Sequence, residues 1–311
     1  SSLLYHAYTL YLFTINDFKT MVGPSIAFAI FHTPSDKVHT HEILLRLPHM
    51  FAYSWINLLA FTINNQCQPA SIAEDRLNKP WRPLPAGRLS PAQAQVWGRL
   101  STVLAIILSS SSSVSSINMS THSRSGQQGG GAGWSESVLL AVLGWIYNDL
   151  GQGNGNWAVR NLLNAAGFTS FAAGTLEVAL RTPLLSLSSW SADSNDDNVQ
   201  LLWWIGMIAA VVATTVQLQD MYDQKGDAAA GRRTLPLVVG DRAARLFSAI
   251  AIMAWSLLCP FYWSSGFLGY LAPMVLGLWT VVRSFTLKSE SDDRVTFRIY
   301  NCWLVSLYAL P

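Results

Sequence analysis

Residues 74–83 and 220–227 stand at the ends of long apolar stretches and carry the side chains best suited to chemistry. Ionisable groups at a membrane border are costly and tend to be functional. Asp220, Asp223 and Asp227 recur at i, i+3 and i+7, so a helix continued through them turns all three to one side. Three like charges on one face repel, and a cation among them relieves the repulsion. Oxygen-only ligands favour magnesium, which is held by one or two carboxylates together with substrate phosphates. Gln217, three residues before Asp220, falls on the same face as a further neutral contact.

Cations accompany both segments. Lys225 lies inside the second, and Arg232 and Arg233 follow it; paired guanidinium groups suit bidentate phosphate binding. In the first segment Glu74 and Asp75 follow Asn64, Asn65, Gln66 and Gln68, an unusually polar tail for an apolar stretch, with Pro69 as a kink. Such a kink is tolerated at membrane depth where it lines a polar cavity. Lys79, Arg82 and Arg88, interleaved with Pro80, Pro83 and Pro85, make a stiff cationic loop able to close over a diphosphate. Two magnesium ions bridged by carboxylates would turn a diphosphate into a good leaving group. Heterolysis of an allylic carbon–oxygen bond would then leave a carbocation, to be shielded by apolar helices and stabilised by aromatic faces. Tyr222, between metal-binding positions, is the ring with the best claim to face the site.

The elements that must position these residues are membrane helices. Of 311 residues half are hydrophobic and 12% charged, which excludes an ordinary soluble domain. Apolar windows near the ~20 residues of a bilayer crossing predict nine spans, at 10–31, 46–64, 92–110, 135–148, 161–180, 200–219, 245–264, 266–284 and 297–311. The whole chain, 1–311, then forms one membrane domain. The fourth and last spans are short, and the last is expected to be incomplete where the sequence stops at Pro311. The first stretch contains Asp17 and Lys19 and no small-residue cleavage pattern, so it reads as a span and not a removable signal.

Alternating spans put fifteen Lys and Arg residues in the connections on one side and four (Lys37, Arg46, Arg124, Arg181) on the other, with Lys19 left near the start. The positive-inside tendency makes the first side cytoplasmic, and both acidic segments lie on it. Residues 109–134 read as a flexible polar loop on the far side, and 182–199 as a second. His39, His41 and Glu42 read as part of a solvated far-side loop. Trp203, Trp204, Trp263 and Trp303 near helix ends suggest an aromatic belt. A net charge of +2 gives no reason to expect a nucleic acid. Cys67, Cys259 and Cys302 are too dispersed for a disulfide or zinc framework. No obligate protein partner is evident, and membrane lipid is the expected surrounding. A cation-coupled transporter would account for the acids but not for Lys79, Arg82, Arg232 and Arg233 beside them.

At these residues the sequence resembles the UbiA superfamily of membrane prenyltransferases. Its DRxNKPxRPxPxGR stretch is matched from Asp75 to Arg88, and its second motif, close to DxxDxxGD, from Asp220 to Asp227. The resemblance implies an all-α integral membrane protein, a nine-transmembrane-helix UbiA-type bundle with a central cavity open to the cytoplasmic side. It further implies Mg2+, a prenyl diphosphate substrate, and metal binding by Asp220, Asp223 and Asp227. The family's usual NxxxDxxxD would place Asn at 67 and Asp at 71, where this chain has Cys67 and Ser71. First-motif metal binding therefore rests on Asp75, with Glu74 and, after a shift, Asn65 or Gln66. The stretch 147–151, then Arg160 and Asn161, with 12–14 and 17–20, is similar to the fungal UbiA-type terpene cyclases of the endoplasmic reticulum membrane. That likeness implies cyclisation of a farnesyl cation, with transfer to an aromatic acceptor as the alternative, and the loop holding Asp149 and Arg160 as part of a lid.

Overall fold

A computed structural model describes residues 2–34, 38–111, 131–184 and 196–311. Most of the polar stretches 109–134 and 182–199, with Lys37 and Arg124, lie outside the described residues. Among the described residues every regular element is helical. In chain order they are α1 (Ser2–Thr14), a π turn (Phe18–Val22), α2 (Gly23–Phe31), α3 (Thr40–Gln66), α4 (Pro69–Asn78), α5 (Pro91–Ser111), α6 (Trp134–Asn148) and α7 (Gln152–Gly155). There follow α8 (Trp157–Leu180), α9 (Asp196–Thr215), a 3-10 turn (Val216–Asp220), α10 (Gln224–Ala229), α11 (Leu235–Val239), α12 (Asp241–Tyr262), α13 (Phe267–Thr286) and α14 (Glu290–Tyr308). Three helical segments among the described residues, Val199–Asp220, Asp241–Tyr262 and Phe267–Thr286, are long and apolar enough to cross a membrane.

Several boundaries depart from the expected ones for identifiable reasons. The first stretch is not one helix: Pro24 has no N–H for the carbonyl of Thr20, and the chain widens into the π turn just before it. Pro69 does more than kink α3. Cys67 ends that helix, and Pro69, needing no N–H partner in a first turn, opens α4. His41 and Glu42 are not loop residues: His39 stands exposed at the N-cap position of α3, His41 and Glu42 lie in its first turn, and Glu42 pairs with Arg46 at 2.9 Å. The last helix begins at Glu290 because the Ser289 hydroxyl accepts from the Asp292 N–H at 3.1 Å. Its acidic first turn carries no hydropathy signal. Trp204 and Trp303 are fully buried instead of lying in a belt, whereas Trp203 is exposed. The three cysteines are free thiols.

The chain divides into two compact units. The first comprises Ser1–Gln68, Trp81–Gly144 and Thr169–Gly206. There α3 packs along α5, and Val22, Leu58, Leu140 and Phe171 form a buried cluster. Its buried Glu177 is fully used, accepting from the Gly133 N–H at 2.7 Å and the Leu184 N–H at 2.8 Å.

The second unit comprises Pro69–Pro80, Trp145–Phe168 and Met207–Pro311. In it α13 packs against α12 and α14, and α4 against α10. Its centre holds an ionic lock. Arg245, 1% exposed, makes two 2.7 Å bonds to the Asp293 carboxylate, one of 2.8 Å to Asp241 Oδ2 and one of 2.8 Å to the Ser284 carbonyl.

Candidate active site

The expected helix through Asp220, Asp223 and Asp227 does not exist. α9 stops at Thr215, tightens into the 3-10 turn, and resumes as α10 only at Gln224. A break in an apolar segment frees backbone carbonyls that must find donors. Gln217, completely buried, donates to the Thr214 carbonyl at 2.7 Å, and Asn161 of α8 donates to the Ala213 carbonyl at 3.1 Å. Asn161 also donates to Gln217 Oε1 at 3.0 Å, and Gln217 to the Ser248 hydroxyl at 2.8 Å. Gln217 thus holds the break, in place of the contact beside the aspartates expected of it. Past the break, Gln224 Nε2 donates to Asp241 Oδ1 at 3.0 Å, tying α10 to the Arg245 lock.

Gly226 allows α10 to lie against α4. A Cβ there would collide with Asn78 Nδ2 and come within 3.1 Å of Glu74 Cγ. After α10 the chain reverses through Gly231, at φ +69°, with the Arg232 N–H on the Asp227 carbonyl at 2.9 Å and the Gly231 N–H on that of Ala228 at 3.1 Å. This paired closure is the Schellman ending, for which glycine is favoured. It folds Arg232 back over the helix it has just left.

Three cations meet the acids of the two segments. Arg160, in the first turn of α8 and not in a loop, donates through Nη2 to Asp220 Oδ1 at 3.0 Å, and through Nη1 to the Tyr147 hydroxyl and the Gly153 carbonyl. Lys79 Nζ lies 3.2 Å from Asp223 Oδ2. Arg232 Nη1 lies 2.8 Å from Glu74 Oε2 and 2.9 Å from Asp227 Oδ1. The same guanidinium reaches Asn154 Oδ1 from Nε at 3.1 Å and the Ser71 hydroxyl from Nη2 at 3.4 Å. Four carboxylates therefore share three cations, and Asp75, 1% exposed, lies in α4 beside Glu74. Burial pushes the Glu74 carboxyl above the ordinary carboxylate range, against the pull of Arg232 and Lys79.

Each aspartate of the second segment is paired through one oxygen only. Asp220 Oδ2, Asp223 Oδ1 and Asp227 Oδ2 are buried with no hydrogen-bond partner. Such atoms are expensive to leave unsatisfied. Three hard, anionic oxygens beside three cationic side chains are a donor set that fits a magnesium ion. No three His, Cys, Asp or Glu side chains among the described residues gather tightly enough to close on an ion alone. An ion here would complete its shell with phosphate and water oxygens, as magnesium usually does.

The remaining expected residues are distributed differently. Arg232 and Arg233 part company: Arg233 is exposed, and its N–H donates to the Asn154 carbonyl at 2.9 Å. Lys225 is exposed. Tyr222 packs against Phe297, with the Arg294 guanidinium 4.9 Å above its ring. Asn65, Gln66, Arg82 and Arg88 belong to the other unit. There Gln66 donates to the Phe13 carbonyl at 2.9 Å, and Arg82 is half-buried in the turns after Pro80. Arg88 is clasped by α1, donating to Thr9 Oγ1 and the Tyr5 carbonyl and lying 4.1 Å from the Tyr5 ring. Asp149 is exposed at the end of α6. Asn154, which holds both arginine positions, escaped sequence reasoning; the clue was the run Gly-Gln-Gly-Asn-Gly at 151–155, a polar turn just before Arg160.

Comparison with known proteins bears on this arrangement. The fumagillin beta-trans-bergamotene synthase af520 of Aspergillus fumigatus is 26% identical over 97% of this chain and 91% of its own length. The somaliensene A/B synthase of Streptomyces somaliensis is 26% identical over 96% and 92%. A UbiA homolog from Archaeoglobus fulgidus, solved bound to GPP and Mg2+, superposes with a TM-score of 0.62 over 97% of this chain and 98% of that one, at 13% identity, a likeness of fold. The UbiA prenyltransferase family model matches residues 22–305, and the chain belongs to that family.

Proposed function

We propose that this protein is a membrane-bound, magnesium-dependent class I terpene cyclase that ionises a prenyl diphosphate, farnesyl diphosphate in the first instance, and cyclises the carbocation with release of diphosphate. The observation that carries the reading is the set of three buried, unpartnered aspartate oxygens beside Lys79, Arg160 and Arg232. The two synthases 26% identical along nearly the whole chain favour cyclisation, and the solved neighbour bound to GPP and Mg2+ supports the ligand class.

In this reading Asp220, Asp223 and Asp227 hold magnesium, with Asp75 adjoining. The bound ion neutralises the diphosphate and makes it a better leaving group. Lys79 and Arg160 turn from their aspartates toward phosphate oxygens; Lys225 and Arg233 add positive charge to the approach, while Arg232 keeps the acids in place. The allylic carbon–oxygen bond breaks with its electron pair leaving on diphosphate. A double bond of the same chain then attacks the cation, and loss of a proton ends the sequence. Nine crossings, a cavity opening to the cytoplasm and residence in the endoplasmic reticulum membrane complete the proposal, with lipid as the surrounding partner.

The family's name favours a second reading, transfer of the prenyl group to an acceptor. One assay separates the two. Membranes bearing the protein are given magnesium and farnesyl or geranylgeranyl diphosphate without acceptor, and extracts are analysed by gas chromatography. Cyclic hydrocarbon supports the cyclase; product formed only after an aromatic acceptor is added overturns it in favour of the transferase.

A further inference from the structure

The unpartnered oxygens are unevenly distributed. Among the described residues every buried carboxylate oxygen without a hydrogen-bond partner belongs to the second segment, to Asp220, Asp223 and Asp227. In the first segment Glu74, 4% exposed, is held by Arg232 through Oε2, and Asp75 is also engaged. Position 71, where the family pattern has an aspartate, is Ser71, whose hydroxyl receives the other terminal nitrogen of the same guanidinium.

We infer that Arg232 serves as a built-in cation joining the two acidic segments, so that divalent-ion binding is confined to the second segment. This rests on the magnesium reading above and sharpens it. The geometry is that of a bridge. One nitrogen, Nη1, lies 2.8 Å from the first segment's Glu74 and 2.9 Å from the second segment's Asp227. Asn154 and the Schellman turn at Gly231 hold the guanidinium from behind, so the charge is fixed in position by the chain itself. A guanidinium cannot be deprotonated at working pH and is readily accommodated in buried pairs. With a serine at 71 the first segment lacks the carboxylate that would compete for an ion, and Arg232 takes that place. Asp227 remains shared, with Oδ1 given to Arg232 and Oδ2 left for an ion.

The test counts ions. The full-length protein in detergent, with inorganic diphosphate, is titrated with Mn2+ and the bound ions are measured by electron paramagnetic resonance. The wild-type count should be unchanged in Glu74→Gln and should fall in Asp220→Asn and Asp223→Asn. Arg232→Lys, which keeps a cation, should match the wild type. Arg232→Met should gain an ion, and Arg232→Met/Glu74→Gln should lose it again. Should Arg232→Met fail to fold, Glu74→Gln decides alone: loss of one ion, or a tenfold weaker Mn2+ affinity, overturns the inference while leaving the magnesium reading intact. A wild-type protein that binds no Mn2+ overturns the magnesium reading itself, and this inference with it.

Discussion

Two buried arginine–aspartate pairs in the second unit are chemically alike and unequally satisfied. Arg245 meets Asp293 fork to fork, with both carboxylate oxygens at 2.7 Å, and its remaining donors go to Asp241 and the Ser284 carbonyl. Arg160 meets Asp220 through a single 3.0 Å bond, leaving Asp220 Oδ2 and its own Nε unpartnered. Closed pairs of the first kind hold helices together. A half-open pair keeps its desolvation penalty unmet until something arrives, which is what a binding site requires. Burial alone does not distinguish the two, since Asp220 is 2% and Asp293 3% exposed; the free oxygen does.

The sharpest way to break the comparison is to neutralise each aspartate in turn. Asp220→Asn should cut turnover by about 10³-fold, the scale of losing one group that stabilises developing charge. Asp293→Asn should mainly lower stability. If Asp220→Asn keeps near wild-type turnover in the gas-chromatographic assay, the half-open pair is not a binding site. Next comes Arg245→Met, which strands Asp293 and Asp241 beside a missing cation. Breaking a buried pair from one side costs about 3–5 kcal/mol, so thermal unfolding in detergent should fall sharply, and further than in Asp220→Asn. Equal losses in the two variants would erase the distinction between lock and site.

The sequence displayed one side of this contrast better than the other. The apolar stretches and the two acidic segments were plain, because hydropathy and clustered charge are local properties. α8, α12 and α13 accordingly fall where the apolar windows placed them. The break after Thr215 was not legible. Its cause is a set of hydrogen bonds from Gln217 and Asn161, residues 56 apart, and the i, i+3, i+7 spacing of the aspartates suggested an unbroken helix. Nor could spacing decide which of Arg232 and Arg233 turns inward. That choice belongs to the left-handed residue before them and to Asn154, far away in sequence. The Arg245 lock was invisible for the same reason: its aspartates stand in polar stretches that looked like connections.

Smaller effects test how the site is held. Gly226→Ala places a methyl group against Asn78 and Glu74, between α10 and α4. Overpacking of this kind costs about 1–3 kcal/mol. Turnover should drop by roughly tenfold, the equivalent of 1.4 kcal/mol, as α4 carries Glu74 and Lys79 away from their partners. Because the nearest atom is the end of a side chain, Asn78→Ala should recover part of the loss in the double variant. Absence of any recovery would place the strain in the backbone, not in that contact.

Gly231→Ala is the mildest test. A Cβ at Gly231 meets nothing within 4 Å, so the substitution adds no clash and changes only the ease of the left-handed turn at φ +69°. For an alanine that conformation costs about 1 kcal/mol. The unfolding temperature should fall slightly. If the turn opens, Arg232 loses its reach to Glu74 and Asp227, and the variant should then take up Mn2+ in the manner of Arg232→Met, only weakly. If it stays closed, ion binding should match the wild type despite the lower stability. The two measurements together separate a turn that merely ends a helix from one that positions the cation between the acidic segments.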